Sequence, residues 1–142
     1  MDRRIVKELL EDGRLSLAEL GERVSLSSPA VKRRVDRLRE TGVITGFRAI
    51  VDPAALGQRT EAFVEIHCVA NMSPMALRET LAGEPEIVAA YTVTGEADAL
   101  ILVRANDVAH LEAALERIRT DPGIARTKTI IVLSRLIARG AP

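Results

Sequence analysis

The chain has 142 residues, 20 Lys and Arg against 20 Asp and Glu, 47% hydrophobic residues, one Cys and no Trp. This is a globular composition rather than a disordered or collagen-like one. One Cys leaves no disulfide framework and no thiol cluster for zinc, and the longest unbroken apolar runs, 99–103 and 130–133, are too short to cross a bilayer. Asp2, Arg3, Arg4, Lys7 and Glu8 crowd the first turns, so no signal peptide is expected there, and the expected location is the cytoplasm. The charge is unevenly placed. Residues 28–41 set Lys32, Arg33, Arg34, Arg37 and Arg39 against Asp36 and Glu40, a local basic stripe in a neutral chain. Such a stripe is either a solvated helix face or a polyanion site of limited size.

Ile5, Val6, Leu9 and Leu10 fall at helical spacing, and the turn pair Asp12-Gly13 ends the run. Ser16-Leu17-Ala18-Glu19 is a capping box opening a second helix with Leu20 and Val24 inward. After the break at Ser25-Leu26-Ser27, Ser28 is placed to cap a third helix, with Pro29 at its first position. Val31, Val35 and Leu38 line one face of that helix, which stops at Thr41-Gly42. Two short helices this close in sequence make a helix-turn-helix pattern. Gly21 sits where the two helices would cross, a place for a small residue. At 100° per residue, Pro29, Arg33, Asp36, Arg37 and Glu40 lie opposite the apolar face of the third helix, with Lys32 and Arg34 on its flanks. A helix packed this way offers its basic side to a DNA major groove. Residues 43–51 then read as a strand or two-stranded wing, leading to Asp52-Pro53.

From Thr60 the chain reads strand, helix, strand, strand, helix, strand. Ala62, Val64, Ile66 and Cys68 alternate with Phe63, Glu65 and His67. Ser73-Pro74 opens a helix carrying Leu77 and Leu81. Residues 87–94 and 98–104 read as strands joined by Gly95-Glu96-Ala97. Asp107 caps a helix with Val108, Leu111, Leu115 and Ile118 inward, and 124–137 reads as an unusually long last strand. This βαββαβ order is the ferredoxin-like motif. The expected fold is therefore α+β: a helix-turn-helix domain over 1–46, a connecting strand or hinge over 47–59, and a ferredoxin-like domain over 60–142. Both helices of that motif pack on one sheet face, and Phe63 and Val69 belong to the other. A bare apolar sheet face marks a protein contact, and pairing with a second copy about a two-fold axis is the commonest way to cover it.

In their order and spacing these residues resemble the Lrp/AsnC transcriptional regulators, also called feast/famine regulatory proteins. The resemblance runs through Asp2-Arg3-Arg4-Ile5, Leu20-Gly21, Val31, Arg33-Arg34-Val35, Gly42-Val43-Ile44, Phe47-Arg48-Ala49 and Asp52-Pro53. It continues in Gly95-Glu96-Ala97-Asp98, similar to the family's Gly-Asp-Tyr-Asp loop, and in Thr127-Lys128-Thr129-Ile130, similar to its last-strand motif. The chain departs from the family at Ala97 and Ala99, where aromatic residues are common, and at Ser25, where Gly is usual. The resemblance implies a DNA-binding lobe and a C-terminal effector-sensing (RAM) lobe. It also implies a homodimer assembling further to a tetramer or octamer, and an amino-acid-like effector held between dimers near residues 95–98.

For duplex DNA, Ser27 and Ser28 are candidate phosphate contacts at the start of the third helix, and Lys32 and Arg34 flanking phosphate contacts. Arg33 and Arg37 are the candidates for base edges, where Arg pairs bidentately with guanine, and Pro29 and Ala30 for a thymine methyl. For the effector, the amides around Gly95 and Ala97 suit a carboxylate, Glu96 or Asp98 an ammonium group, and Thr127 and Thr129 offer hydroxyls. By spacing alone, Gly95 with Asp98 is equally an ordinary hairpin corner. Cys68 reads as inert core, His67 as facing the dimer contact and His110 as solvated. No Gly-rich phosphate loop, nucleophile elbow or metal-spaced cluster is present, so no cofactor is expected. Two other readings use the same architecture: a siroheme-decarboxylase-like enzyme, which needs Arg and His around a tetrapyrrole, and a nucleoid-organising protein of low sequence preference.

Overall fold

Ile5, Leu20, Val24, Val31 and Leu38 close on one another as the buried core of the first lobe in a computed structural model describing residues 1–137. They belong to helices α1 (Asp2–Glu11), α2 (Leu17–Val24) and α3 (Ser28–Glu40). The capping box forms as the spacing predicts. The Ser16 hydroxyl accepts from the Glu19 N–H at 3.2 Å, and the Glu19 carboxylate accepts from the Ser16 N–H at 2.8 Å. The cap of α3 lies one residue earlier than expected, at Ser27, whose carbonyl accepts from the Val31 N–H at 3.0 Å. Pro29 thus occupies the second helical position, where its missing N–H forfeits no intrahelical bond.

The turn between α2 and α3 is tight enough to constrain two residues. Ser25 takes the left-handed conformation at φ 58°, a strain of about 1 kcal/mol for a residue with a Cβ. Gly21 faces the turn backbone: a Cβ there would lie 2.6 Å from the Leu26 carbonyl oxygen. The close approach is to the turn rather than to the crossing helix. Gly21→Ala is therefore expected to lower the unfolding free energy of the first lobe by about 1–3 kcal/mol, read from its urea midpoint.

Residues 43–51 form no strand. The Ile44 N–H closes onto the Leu38 carbonyl at 2.9 Å, tying the exit of α3 to its own last turn. Alternating β-branched residues describe a surface, whereas a strand also needs a neighbouring strand to take its backbone groups. The chain divides into two compact units, Met1–Ile50 and a second beginning at Val51. A single 3-10 turn at Pro53–Leu56 follows, capped by the Asp52 carboxylate.

In the second unit, β1 (Thr60–Cys68), β3 (Ala99–Ala105), β2 (Ile87–Thr92) and β4 (Ile124–Ile131) form one antiparallel sheet in the order β2-β3-β1-β4. Helices α4 (Pro74–Ala82) and α5 (Val108–Arg119) bury Leu77, Leu81, Leu111, Leu115 and Ile118 against Ala62, Val64, Ile66, Ile101 and Val103. Ser73 and Asp107 cap the helices through their side chains. Two expectations are corrected. The last strand stops at Ile131 rather than 137, because Ile131 already pairs with Ala62 and β1 begins only two residues earlier. Val108 is exposed, since it directly follows the cap at the rim of the sheet.

A polar cluster pins α5 to the segment before β2, and His110 belongs to it rather than to solvent. Its Nδ1 accepts from the Asn106 N–H, which leaves Nε2 to donate to the Glu86 carboxylate at 2.8 Å. Arg117 donates to Glu86 at 2.7 Å and to Glu84 at 2.8 Å. Burial disfavours the Glu86 charge, but the hydrogen bonds from Arg117 and His110 outweigh it and hold the carboxyl below its usual range. Glu61 is held down in the same way, against burial, by Arg104 at 2.6 Å and by Arg135 at 3.1 Å. Both carboxyls are easier to ionise folded than unfolded, so their contribution is fully present above their ordinary 4.5 and fades as the pH falls through the lower folded values. Urea midpoints of the second unit are expected to drop between pH 5 and pH 3, with a shallower drop in Glu86→Gln; an identical slope would contradict this origin.

Candidate nucleic-acid interface and effector loop

Burying Val31 and Leu38 fixes the rotation of α3, and the rest of its surface follows. Pro29, Arg33, Asp36, Arg37 and Glu40 share its outer side, with Lys32 and Arg34 at the margins. Lys32, Arg33 and Arg37 are exposed, while Ser28, Ala30 and Arg34 are half-buried. Ser27 is exposed at the N-terminus, and its hydroxyl makes no capping bond. The sequence-derived face is therefore the observed one.

Its cations are not equivalent. Lys32 pairs with Asp36 at 2.6 Å, one turn further along the helix. Arg34 donates to the carboxylate of Asp2, at the start of α1, at 2.8 Å, and Arg37 donates to the other oxygen of the same carboxylate. Arg33 makes no ion pair or side-chain hydrogen bond among the described residues. The hydrogen bond from Arg34, opposed by some desolvation and reinforced by Arg37, holds Asp2 below the usual carboxylate range. Spacing on one helix cannot reveal a partner 32 residues away, so sequence reasoning missed Asp2.

The 95–98 loop joins β2 to β3. Gly95 sits at φ 120°, with open space where a side chain would be. Glu96 is exposed and Ala97 half-buried, while Ala99 is buried in the core. Asp98 serves as a corner: its carboxylate accepts from the Cys68 N–H at 2.7 Å, its N–H donates to Ile66 at 2.9 Å and its carbonyl accepts from Val93 at 3.3 Å. Burial, with the nearby Asp98 and Asp121 charges, pushes the Cys68 thiol up, as suits an unreactive residue at the core edge. Thr127 and Thr129 stand opposite Ile66 and Val64, so the central strand β1 separates β4 from β3 and its loop. The Thr127 hydroxyl accepts from Arg119 at 2.9 Å, and the buried Thr129 hydroxyl has no partner among the described residues.

Neither α4 nor α5 covers the other sheet face. Phe63 stands between Ile130 of β4 and Leu102 of β3, with Tyr91 and Leu100 paired beyond them. Glu65 with Lys128 at 3.3 Å and His67 with Arg126 at 3.3 Å border this apolar strip.

Known proteins match this layout over its whole length. The model of a winged helix-turn-helix DNA-binding domain matches residues 1–45, and that of the Lrp/AsnC ligand binding domain matches residues 61–142. The HTH-type transcriptional regulator Rv2324 of Mycobacterium tuberculosis is 52% identical over 99% of this chain and 95% of its own. The regulator LrpA of the same organism is 39% identical over 94% of this chain and 89% of its own. Among solved structures, a feast or famine regulatory protein from M. tuberculosis complexed with L-methionine is 38% identical, with a TM-score of 0.90 over 96% of this chain and 92% of that one.

Proposed function

The chain belongs to the Lrp/AsnC family of helix-turn-helix transcriptional regulators, and on that footing we propose that α3 enters the major groove of a specific duplex site with its outer face. One observation carries the reading: that face is basic and exposed, with Arg33 unengaged by any other described side chain. Arg33 and Arg37 read base edges. Lys32, Arg34, Ser27 and Ser28 meet phosphates, the serines beside the α3 N-terminus where the helix dipole favours an anion, and Pro29 and Ala30 touch a thymine methyl. A family relative binds L-methionine, which supports an amino-acid effector here, held near Gly95, Glu96, Ala97 and Asp98. Thr127 lies across β1 from the end of that loop, both flanking Ile66, and the effector sits between dimers, with neighbouring subunits completing its site.

A second copy covers the strip around Phe63, giving a homodimer, and dimers associate into tetramers or octamers. The effector then acts only through its unequal affinity for two assembly states, which space the α3 helices differently. This reading makes the protein a regulator rather than an enzyme. His67 lies on the open sheet face and His110 is engaged by Glu86, so the two do not converge on a tetrapyrrole-sized site.

Binding of purified protein to the duplex upstream of its own gene tests the reading against a scrambled duplex of equal length. Preference for the upstream duplex, falling steeply with salt, and a change of assembly mass with one of a panel of amino acids are expected. Equal binding to both duplexes would leave only a nucleoid-organising role.

A further inference from the structure

The Asp2 carboxylate lies in the first turn of α1 and receives one guanidinium on each oxygen: Arg34 at 2.8 Å, and Arg37. The three differ in exposure. The side chains of Arg34 and Asp2 are 33% and 32% exposed, whereas that of Arg37 is 59% exposed. Arg34 and Asp2 thus form a partly buried pair, and Arg37, one turn further along α3, is the more exposed of the two guanidiniums on the carboxylate. A long side chain free in solvent loses rotamer entropy when it docks. A guanidinium already held on one edge loses less, and its remaining N–H groups keep the fork that suits a guanine edge.

We propose that Asp2 is a positioning residue for sequence reading: fixed from behind by Arg34, it holds Arg37 in the orientation that meets a base. This rests on the reading of α3 as the groove-entering helix, and it recasts Arg34 as part of the brace rather than as a phosphate contact. The carboxylate meanwhile repels phosphate, so Asp2 strengthens binding to the right sequence while weakening binding to unrelated ones.

That opposition is the test. The probe is the duplex that the wild-type protein recovers from a random-sequence pool, set against a random duplex of equal length at fixed salt. Asp2→Asn is expected to lower affinity for the recovered duplex roughly tenfold, the lower part of the range for one oriented Arg–base pair, while affinity for the random duplex holds or rises. Selection repeated with Asp2→Asn loses preference at one base position, the same one lost with Arg37→Ala. Arg34→Lys, which weakens the far end of the brace, loosens that position too and carries the test should Asp2→Asn unfold by circular dichroism. A parallel fall on both duplexes would make Asp2 only a strut between α1 and α3. A rise on both would make it only a competitor of phosphate. Unchanged base preference in Arg37→Ala would also overturn the proposal. A wild-type protein that recovers no preferred sequence would refute the groove-reading assignment itself, seen without any variant.

Discussion

Phe63→Asp is expected to leave each subunit folded and to abolish the proposed dimer. Phe63 is 38% exposed in the single chain, at the centre of the sheet face that α4 and α5 leave uncovered, between Ile130 and Leu102. An Asp there is solvated in a free subunit but stranded without a partner in a closed apolar contact. Light scattering should return the mass of one subunit, with secondary structure unchanged by circular dichroism. Two linked reading helices exceed one in affinity by about 10²–10⁴-fold, so binding to the preferred duplex should fall by a factor in that range. A Phe63→Asp protein that stays dimeric would place the contact elsewhere.

Arg33→Ala and Lys32→Ala, neighbours on α3, are expected to fail differently. Arg33 is exposed on the outer side with no side-chain partner among the described residues, so its fork is available to a base edge. Its loss should cost about 1–3 kcal/mol on the preferred duplex, relax one base position and leave random-duplex binding little changed. Lys32 pairs with Asp36, so removing it would take away the proposed phosphate contact and also free an acidic side chain beside the DNA backbone. All duplexes should weaken alike, and the slope of log affinity on log salt should fall by about one. Titrations at several salt concentrations separate the two. Equal losses for Arg33→Ala on preferred and random duplexes would remove it from the base-reading set.

What the sequence made legible was whatever depends on short spacing. The Ser16–Glu19 box, the caps at Ser73 and Asp107, the rotation of α3 and the alternation of β1 each follow from residues within a turn or two of one another. What escaped depends on distant neighbours. Residues 43–51 have the composition of a strand but no ladder, and 134–137 extend past the start of β1. His110 looked solvated on its own helix until Glu86, 24 residues earlier, came beside it. Asp2 gave no local sign of meeting Arg34 and Arg37. At the 95–98 loop the residues supported both a corner and an effector site, and Asp98 does hold the corner.

The central claim is that the outer side of α3 sits in a duplex groove twice, because the second lobe of each subunit closes on a twin. A hydroxyl-radical footprint on the preferred duplex, with the subunit count of the complex measured by mass, tests it most directly. The expected result is an even number of subunits and two protected stretches about one helical turn, 10–10.5 base pairs, or a multiple of it apart, both requiring more protein in Arg33→Ala. A complex with a single subunit and one protected stretch, or a footprint indifferent to Arg33, would contradict it.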